Sequence, residues 1–85
     1  MFESYTVFLR RTAAEALKQL RGTRRRAIER FLDYLAENPF EEGDFPEQDS
    51  TGRDVYCKVI RDYAVTFFPD HAVKEVKILE IVRTP

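Results

Sequence analysis

Asp54-Val55-Tyr56-Cys57-Lys58-Val59-Ile60, followed at once by Arg61-Asp62 and then by Tyr63-Ala64-Val65-Thr66-Phe67-Phe68, is the stretch that decides the fold. In the first half Val55, Cys57 and Val59 alternate with Tyr56, Lys58 and Ile60; in the second Tyr63, Val65 and Phe67 alternate with Ala64, Thr66 and Phe68. A period of two in β-branched and aromatic residues belongs to a strand. Only Arg61-Asp62 separates the halves, so the two strands must run antiparallel. Pro69-Asp70-His71-Ala72 supplies a second turn, and Val73 to Val82 reads as a third β segment.

Upstream, Ser4 to Leu9 is rich in β-branched and aromatic types and short enough to be a strand, ending near Arg10. Thr12-Ala13-Ala14-Glu15 has the form of a capping box, which predicts a helix start. Ala13, Ala16, Leu17 and Leu20 recur at helical spacing, with Gly22 placed to close that helix and Thr23 to cap the next. Ala27, Ile28, Phe31, Leu32 and Leu35 make the apolar stripe of a second helix that ends at Asn38-Pro39. From Phe40 to Gly52 no period of either kind appears, and five carboxylates predict a mobile acidic loop over 41–50. The expectation is an α+β fold in the order β-α-α-β-β-β, one domain over 1–85. A helical hairpin packs on one face of a small, mainly antiparallel sheet and leaves the other face open. Leu17, Leu20, Ile28, Phe31 and Leu35 are expected to bury against Val55, Val59, Val65 and Phe67.

A chain of 85 residues supports one core. Cys57 is the only cysteine, which excludes an internal disulfide and a cysteine-built metal site, and favours the cytosol. Met1 to Arg11 has no apolar run of signal-peptide length, and no stretch approaches the roughly 20 apolar residues of a membrane span. A cytoplasmic protein without membrane contact is expected. No glycine-rich phosphate loop or metal-ligand cluster is present, so no cofactor or metal is expected. The net charge of −1 hides a block distribution: residues 1–37 carry eight Lys/Arg against five Asp/Glu, 38–56 one against six, 57–85 five against four. Arg21, Arg24, Arg25, Arg26 and Arg30 concentrate positive charge, which either attracts phosphate or solvates a helix face.

The order of elements, Asn38-Pro39 after the second helix, and the run Gly52-Arg53-Asp54-Val55-Tyr56 through Asp62-Tyr63-Ala64-Val65-Thr66-Phe67 resemble the RelE/ParE superfamily of bacterial toxins over nearly the whole chain. Asp70-His71-Ala72-Val73-Lys74-Glu75-Val76-Lys77 looks like a diverged RelE-like branch. The resemblance implies a toxin of a type II toxin-antitoxin system, or a diverged orphan of one. Such a toxin either cuts ribosome-bound mRNA or, in a ParE-like alternative, inhibits gyrase or acts as another non-catalytic protein-interaction module. It also implies a cognate antitoxin that wraps the toxin, with the ribosome and its mRNA or gyrase as target and a homodimer as a further assembly. Ribonuclease members usually carry arginine directly after the tyrosine of the third strand; here that position is Ala64. They also tend to end in a basic strand and a tail containing tyrosine, whereas this sequence closes on Arg83-Thr84-Pro85. The departures imply weak or absent cleavage.

Cleavage of RNA by its own 2′-hydroxyl needs a proton acceptor, cations on the dividing phosphate, and a proton donor. His71 is the only side chain whose unperturbed pKa lies near neutrality, although the sequence shows no partner to fix its tautomer, and the alternative is a turn histidine exposed to water, for which a place after Pro69-Asp70 needs no other explanation. Arg53 and Lys58 complete the candidate catalytic set. Arg61, Lys74, Lys77, Arg83, Arg24 and Arg25 are candidate nucleic-acid contacts, set against the alternative that they are ordinary solvated charges. Cys57 belongs to an apolar alternation and reads as core. Outside toxins altogether, the acidic run from Glu41 to Asp49 suits docking of a basic partner.

Overall fold

In the computed structural model, residues 4–85 are described, so residues 1–3 of the expected domain lie outside the described residues. The chain forms β1 (Thr6–Leu9), α1 (Arg11–Gln19), α2 (Gly22–Glu37), β2 (Phe45–Gln48), β3 (Asp54–Ile60), β4 (Tyr63–Asp70) and β5 (Glu75–Arg83). This is an α+β fold with both helices packed on one face of a five-stranded sheet ordered β1-β5-β4-β3-β2. β1 pairs parallel with β5, and every other pairing is antiparallel. A parallel neighbour needs a crossover, and the helical segment is part of it.

The expected loop from Phe40 to Gly52 contains a strand. β2 pairs antiparallel with β3, with Phe45 opposite Cys57 and Glu47 opposite Val55. The Asp44 N–H donates to the Cys57 carbonyl at 2.7 Å, and Gly43 permits this approach: its φ is +68°, and a Cβ there would stand 2.6 Å from the same oxygen. Asp49 then closes a tight turn, its Oδ1 accepting the N–H groups of Thr51 and Arg53 at 2.9 and 3.0 Å. All four residues of β2 are exposed, so no buried face leaves an alternation to be read, and Pro46 is tolerated because the strand is an edge.

The helix boundaries also differ from the capping pattern. α1 begins at Arg11, which puts Thr12 inside its first turn; the Thr12 hydroxyl donates to the Leu79 carbonyl of β5 at 3.4 Å instead of capping. Glu15 faces Arg11 at 3.7 Å. Gly22, with φ +62°, opens α2 where it was expected to close α1, and Thr23 lies within that helix with no side-chain cap at its start. β4 runs on through Pro69 and Asp70, which pair with Val76 and Glu75, so the turn is His71 to Lys74.

The core joins Ala13, Leu20, Ile28, Phe31, Leu32 and Leu35 of the helical layer to Val65, Phe67, Val76, Ile78 and Ile81 of the sheet, with Leu17 partly buried beside them. Val55 and Val59 do not meet the helices. Register places Tyr56 opposite Phe67 and Ile60 opposite Tyr63, and these four share the helix-side face with Val65. Val55, Cys57 and Val59 therefore point to the other face, because successive strand residues alternate. Val55 and Cys57 are buried there, while Val59 is 39% exposed. The sequence misleads at this point because both faces of β3 carry apolar residues, so periodicity alone does not say which face is covered.

Phe31 packs edge-to-face on Phe67 with ring centroids 5.6 Å apart. Phe31→Ala is expected to cost about 3 kcal/mol or more, as for a buried aromatic. Val59→Ala should cost less than about 1 kcal/mol. Urea denaturation of the two variants checks this; equal losses would contradict the face assignment.

Candidate nucleic-acid interface

The face that the helices leave open is set by pairing. Across it Phe8 of β1 is opposite Lys77 of β5, and Lys77 is opposite Phe68 of β4, so these three side chains form a row over adjacent strands. The Arg53 guanidinium, at the entry to β3, lies over the Phe68 ring at 4.6 Å, and Lys77 Nζ stands 6.0 Å from the same ring. Such cation–ring contacts hold the charges close to an apolar surface. Arg10 follows Phe8 on the same side, its backbone N–H held by the Ile78 carbonyl at 2.9 Å. Phe8, Arg10, Arg53, Phe68, Lys77 and Leu79 line a cleft of about 240 Å³.

Carboxylates flank this cationic cleft on two sides, Asp70 and Glu75 beside Lys77 and a second group beyond Arg53. Arg10, Arg53 and Leu79 also line a neighbouring cleft of about 360 Å³, whose walls include Glu47, Asp49 and Glu80. Within the cationic row, Lys77 Nζ meets Asp70 at 3.1 Å and Glu75 at 4.0 Å. The hydrogen bond from Lys77 holds the Asp70 carboxyl below its ordinary range. Arg53 reaches Asp49 only at 3.9 Å, and Arg10 has no ion pair among the described residues.

Of the residues singled out from sequence, the structure brings Arg53 and Lys77 together at this cleft and places the others elsewhere. Lys58 is opposite Val65 on the helix-side face, and its Nζ is engaged by Asp44 at 3.1 Å. His71 stands in the turn between β4 and β5, stacked on Phe40 at 4.8 Å between centroids. Its Nδ1 lies 2.8 Å from the Tyr5 hydroxyl, a hydrogen-bond partner that can donate or accept and so orients the ring without fixing its tautomer, while Asp70 is engaged by Lys77. The set Arg53, Lys58 and His71 thus does not converge. Arg24 donates to Asp62 at 2.9 Å, Arg83 meets the same carboxylate at 3.4 Å, and Arg25 pairs with Glu29 at 3.2 Å. Arg61, adjacent to Asp62 with φ +59°, and Lys74, with φ +55°, occupy turns at opposite ends of β4.

Sequence reasoning passed over Phe8 and Arg10, since an aromatic in a short strand reads as core and the residue after a strand has no face until the strand is paired. Ala64 does lie on the open face, opposite Val59 and Val82, both more than one-third exposed. An aliphatic row therefore occupies the place where the resemblance led one to expect arginine. Burial raises the Cys57 thiol above its ordinary value, which disfavours the nucleophilic thiolate. Among the described residues, no group of three or more His, Cys, Asp or Glu side chains is placed to hold a metal ion, and no helix is long and apolar enough to cross a membrane.

The sequence matches no protein-family model and no curated protein sequence. Solved structures do match. The archaeal RelE-RelB complex from Pyrococcus horikoshii OT3 aligns with TM-score 0.76 at 25% identity over 94% of this chain and 94% of its own. The toxin-antitoxin complex RelBE2 from Mycobacterium tuberculosis aligns with TM-score 0.76 at 22% identity over 94% and 98%. The isolated E. coli RelE toxin aligns with TM-score 0.78 at 17% identity over 96% and 86%. The two helices and the mixed sheet are thus those of a RelE-like toxin fold.

Asp62 ties three elements together: the Arg24 hydrogen bond, with the Arg24 and Arg83 charges, holds its carboxyl below the ordinary range. A carboxyl depressed in the folded state stabilises above its unfolded pKa, near about 4, and loses that contribution as pH falls through the folded value. Denaturation midpoints are expected to drop on acidification below about pH 4. Asp62→Asn should lower the midpoint at neutral pH and make the acid decline shallower; an unchanged profile would show the Arg24-Asp62-Arg83 bridge to be inert.

Proposed function

We propose that this chain is the toxin member of a RelE–RelB-type pair, or a diverged orphan of one, that its open sheet face binds RNA, and that it cleaves mRNA weakly or not at all. The observation that carries the RNA reading is the gathering of Arg10, Arg53 and Lys77 around Phe8 and Phe68 on the one uncovered face. Cations interleaved with aromatics suit a phosphate backbone with unpaired bases, whereas cations alone suit any solvated surface. Likeness to chains crystallised as RelE-RelB complexes supports a cognate antitoxin as partner. The cytoplasm is the compartment that fits this reading.

Weak cleavage is supported by what surrounds the cleft. His71 is turned to Tyr5 and Phe40, and Lys58 to Asp44, so neither stands among its lining residues. From Phe68 back to Ala64 is four strand residues, roughly 13 Å, so the cations at Phe68 do not replace a planar donor at position 64. Loss of one such donor costs on the order of a hundredfold in rate. A second reading, a gyrase-inhibiting or other protein-binding module, draws on the exposed row of Val59, Ala64 and Val82, an apolar strip suited to protein contact.

Inducible expression in a bacterial host, with primer extension on ribosome-bound message, tests the proposal. Little growth loss and few or no codon-defined cuts are expected, with RNA binding by the purified chain weakened in Arg53→Ala/Lys77→Ala. Rapid arrest with defined cuts would refute weak cleavage. Arrest without cuts, relieved by Val59→Asp, would favour the protein-binding reading.

A further inference from the structure

We propose that Phe8 is a stacking platform for one unpaired base, which makes a single strand, and not a duplex, the nucleic acid that this face takes. The inference rests on the RNA reading of the open face and adds to it a residue and a selectivity. Two aromatics line the cleft, and they are not equivalent. Phe68 has its ring under the Arg53 guanidinium and near Lys77 Nζ, so that ring already serves to hold cations. Phe8 is 53% exposed, and no ring or cation among the described residues stacks on it. It is therefore an apolar plane set beside charge and open to an incoming ring.

The flanking geometry fits a nucleotide chain. Phe8 is separated from Phe68 by Lys77 on the strand between them, two inter-strand spacings or roughly 10 Å in all. Lys77 thus lies beside the ring, Arg10 lies two residues along on the same side, and Arg53 stands beyond Phe68. A base on Phe8 would leave its neighbouring phosphates over these cations. Glu47, Asp49 and Glu80 line the adjoining cleft and repel a polyanion from it, while Asp70 and Glu75 are engaged by Lys77 on the other side, which leaves the backbone the band between them where Phe8, Arg10 and Arg53 lie. Inside a duplex both faces of every base are already stacked on its neighbours, so away from the duplex ends only an unpaired base can offer its face to the ring.

The test uses the full chain and four labelled probes of equal length, followed by fluorescence anisotropy at two salt concentrations. The probes are an oligouridylate, an abasic ribose-phosphate oligomer, a mixed-sequence single strand, and the same mixed sequence in a duplex. The wild type should favour the oligouridylate over the abasic oligomer, and the mixed-sequence single strand over its duplex, each on the order of tenfold. Phe8→Leu should abolish the preference for the oligouridylate over the abasic oligomer, and Phe8→Tyr should restore it. Arg10→Gln/Arg53→Gln should weaken both single-stranded probes and flatten the salt dependence. Phe8→Leu binding oligouridylate as well as the wild type, or the duplex binding as tightly as its own single strand, overturns the inference while the RNA reading stands. Loss of abasic binding in Phe8→Leu also overturns it, as damage to the cleft. Failure of the wild type to bind any probe removes the RNA reading and this inference with it.

Discussion

Two short helices can cover one face of a five-stranded sheet and no more. The apolar residues that β4 and β5 present to them, Val65 and Phe67 on one strand and Val76, Ile78 and Ile81 on the other, meet Ile28, Phe31, Leu32 and Leu35 in a single cluster. That burial fixes the parity of both strands, because shifting either by one residue would exchange its apolar and polar sets. With the parity fixed, Phe68, Lys77, Glu80 and Ala64 have to face away from the helices. The chemistry of the open face is in this sense a by-product of the core.

Electrostatics then decides which cations remain available on a chain with a net charge of −1. Asp62 takes Arg24 and Arg83, Asp44 takes Lys58, and Glu29 takes Arg25. These partners lie away from the open cleft; Asp62 and Asp44 join separate segments, while Arg25 and Glu29 pair within α2, and at the surface such ion pairs are individually weak. Arg10 has no such partner among the described residues, and Arg53 lies over an aromatic ring with its carboxylate neighbour 3.9 Å away. Lys77, the third cation of the cleft, is shared with Asp70 at 3.1 Å and Glu75 at 4.0 Å, so Arg10 and Arg53 are the charges left most open to an anion.

Much of the fold was legible because its signals are local. The Arg61-Asp62 connection, the stripe from Ile28 to Leu35 and the stop at Asn38-Pro39 each depend on a few neighbouring residues. What escaped depends on partners distant in sequence. β2 has no buried side, so nothing in Phe45-Pro46-Glu47-Gln48 distinguishes it from loop until β3 lies beside it. Thr12 and Glu15 match a capping box letter for letter, yet the hydroxyl finds the Leu79 carbonyl of a strand that follows 67 residues later. The site was less legible still. Arg53 and Lys77 were visible as cations, but grouping them with Phe8 and Arg10 requires β1 to lie parallel against β5, an arrangement that no local pattern encodes.

One irregularity in β5 reaches further than its size suggests. Between Thr66 and Phe67 the ladder slips, so that Phe67 is opposite Ile78 while Thr66 is opposite Glu80, and Leu79 is left as the extra residue. Take Leu79 out, and Val76-Lys77-Ile78-Glu80-Ile81-Val82 alternates without a fault between the two faces. The strand thus carries one residue more than its ladder requires, and that residue is 95% shielded from solvent while lining both open-face clefts. Bulges of this kind bend a strand and re-aim its side chains. A shorter sequence could keep the same sheet, with every core residue on its proper side, and present a flatter outer surface. The supernumerary leucine supplies the apolar floor on which the charged rim stands, so relief on this surface arises from an insertion that the core does not need.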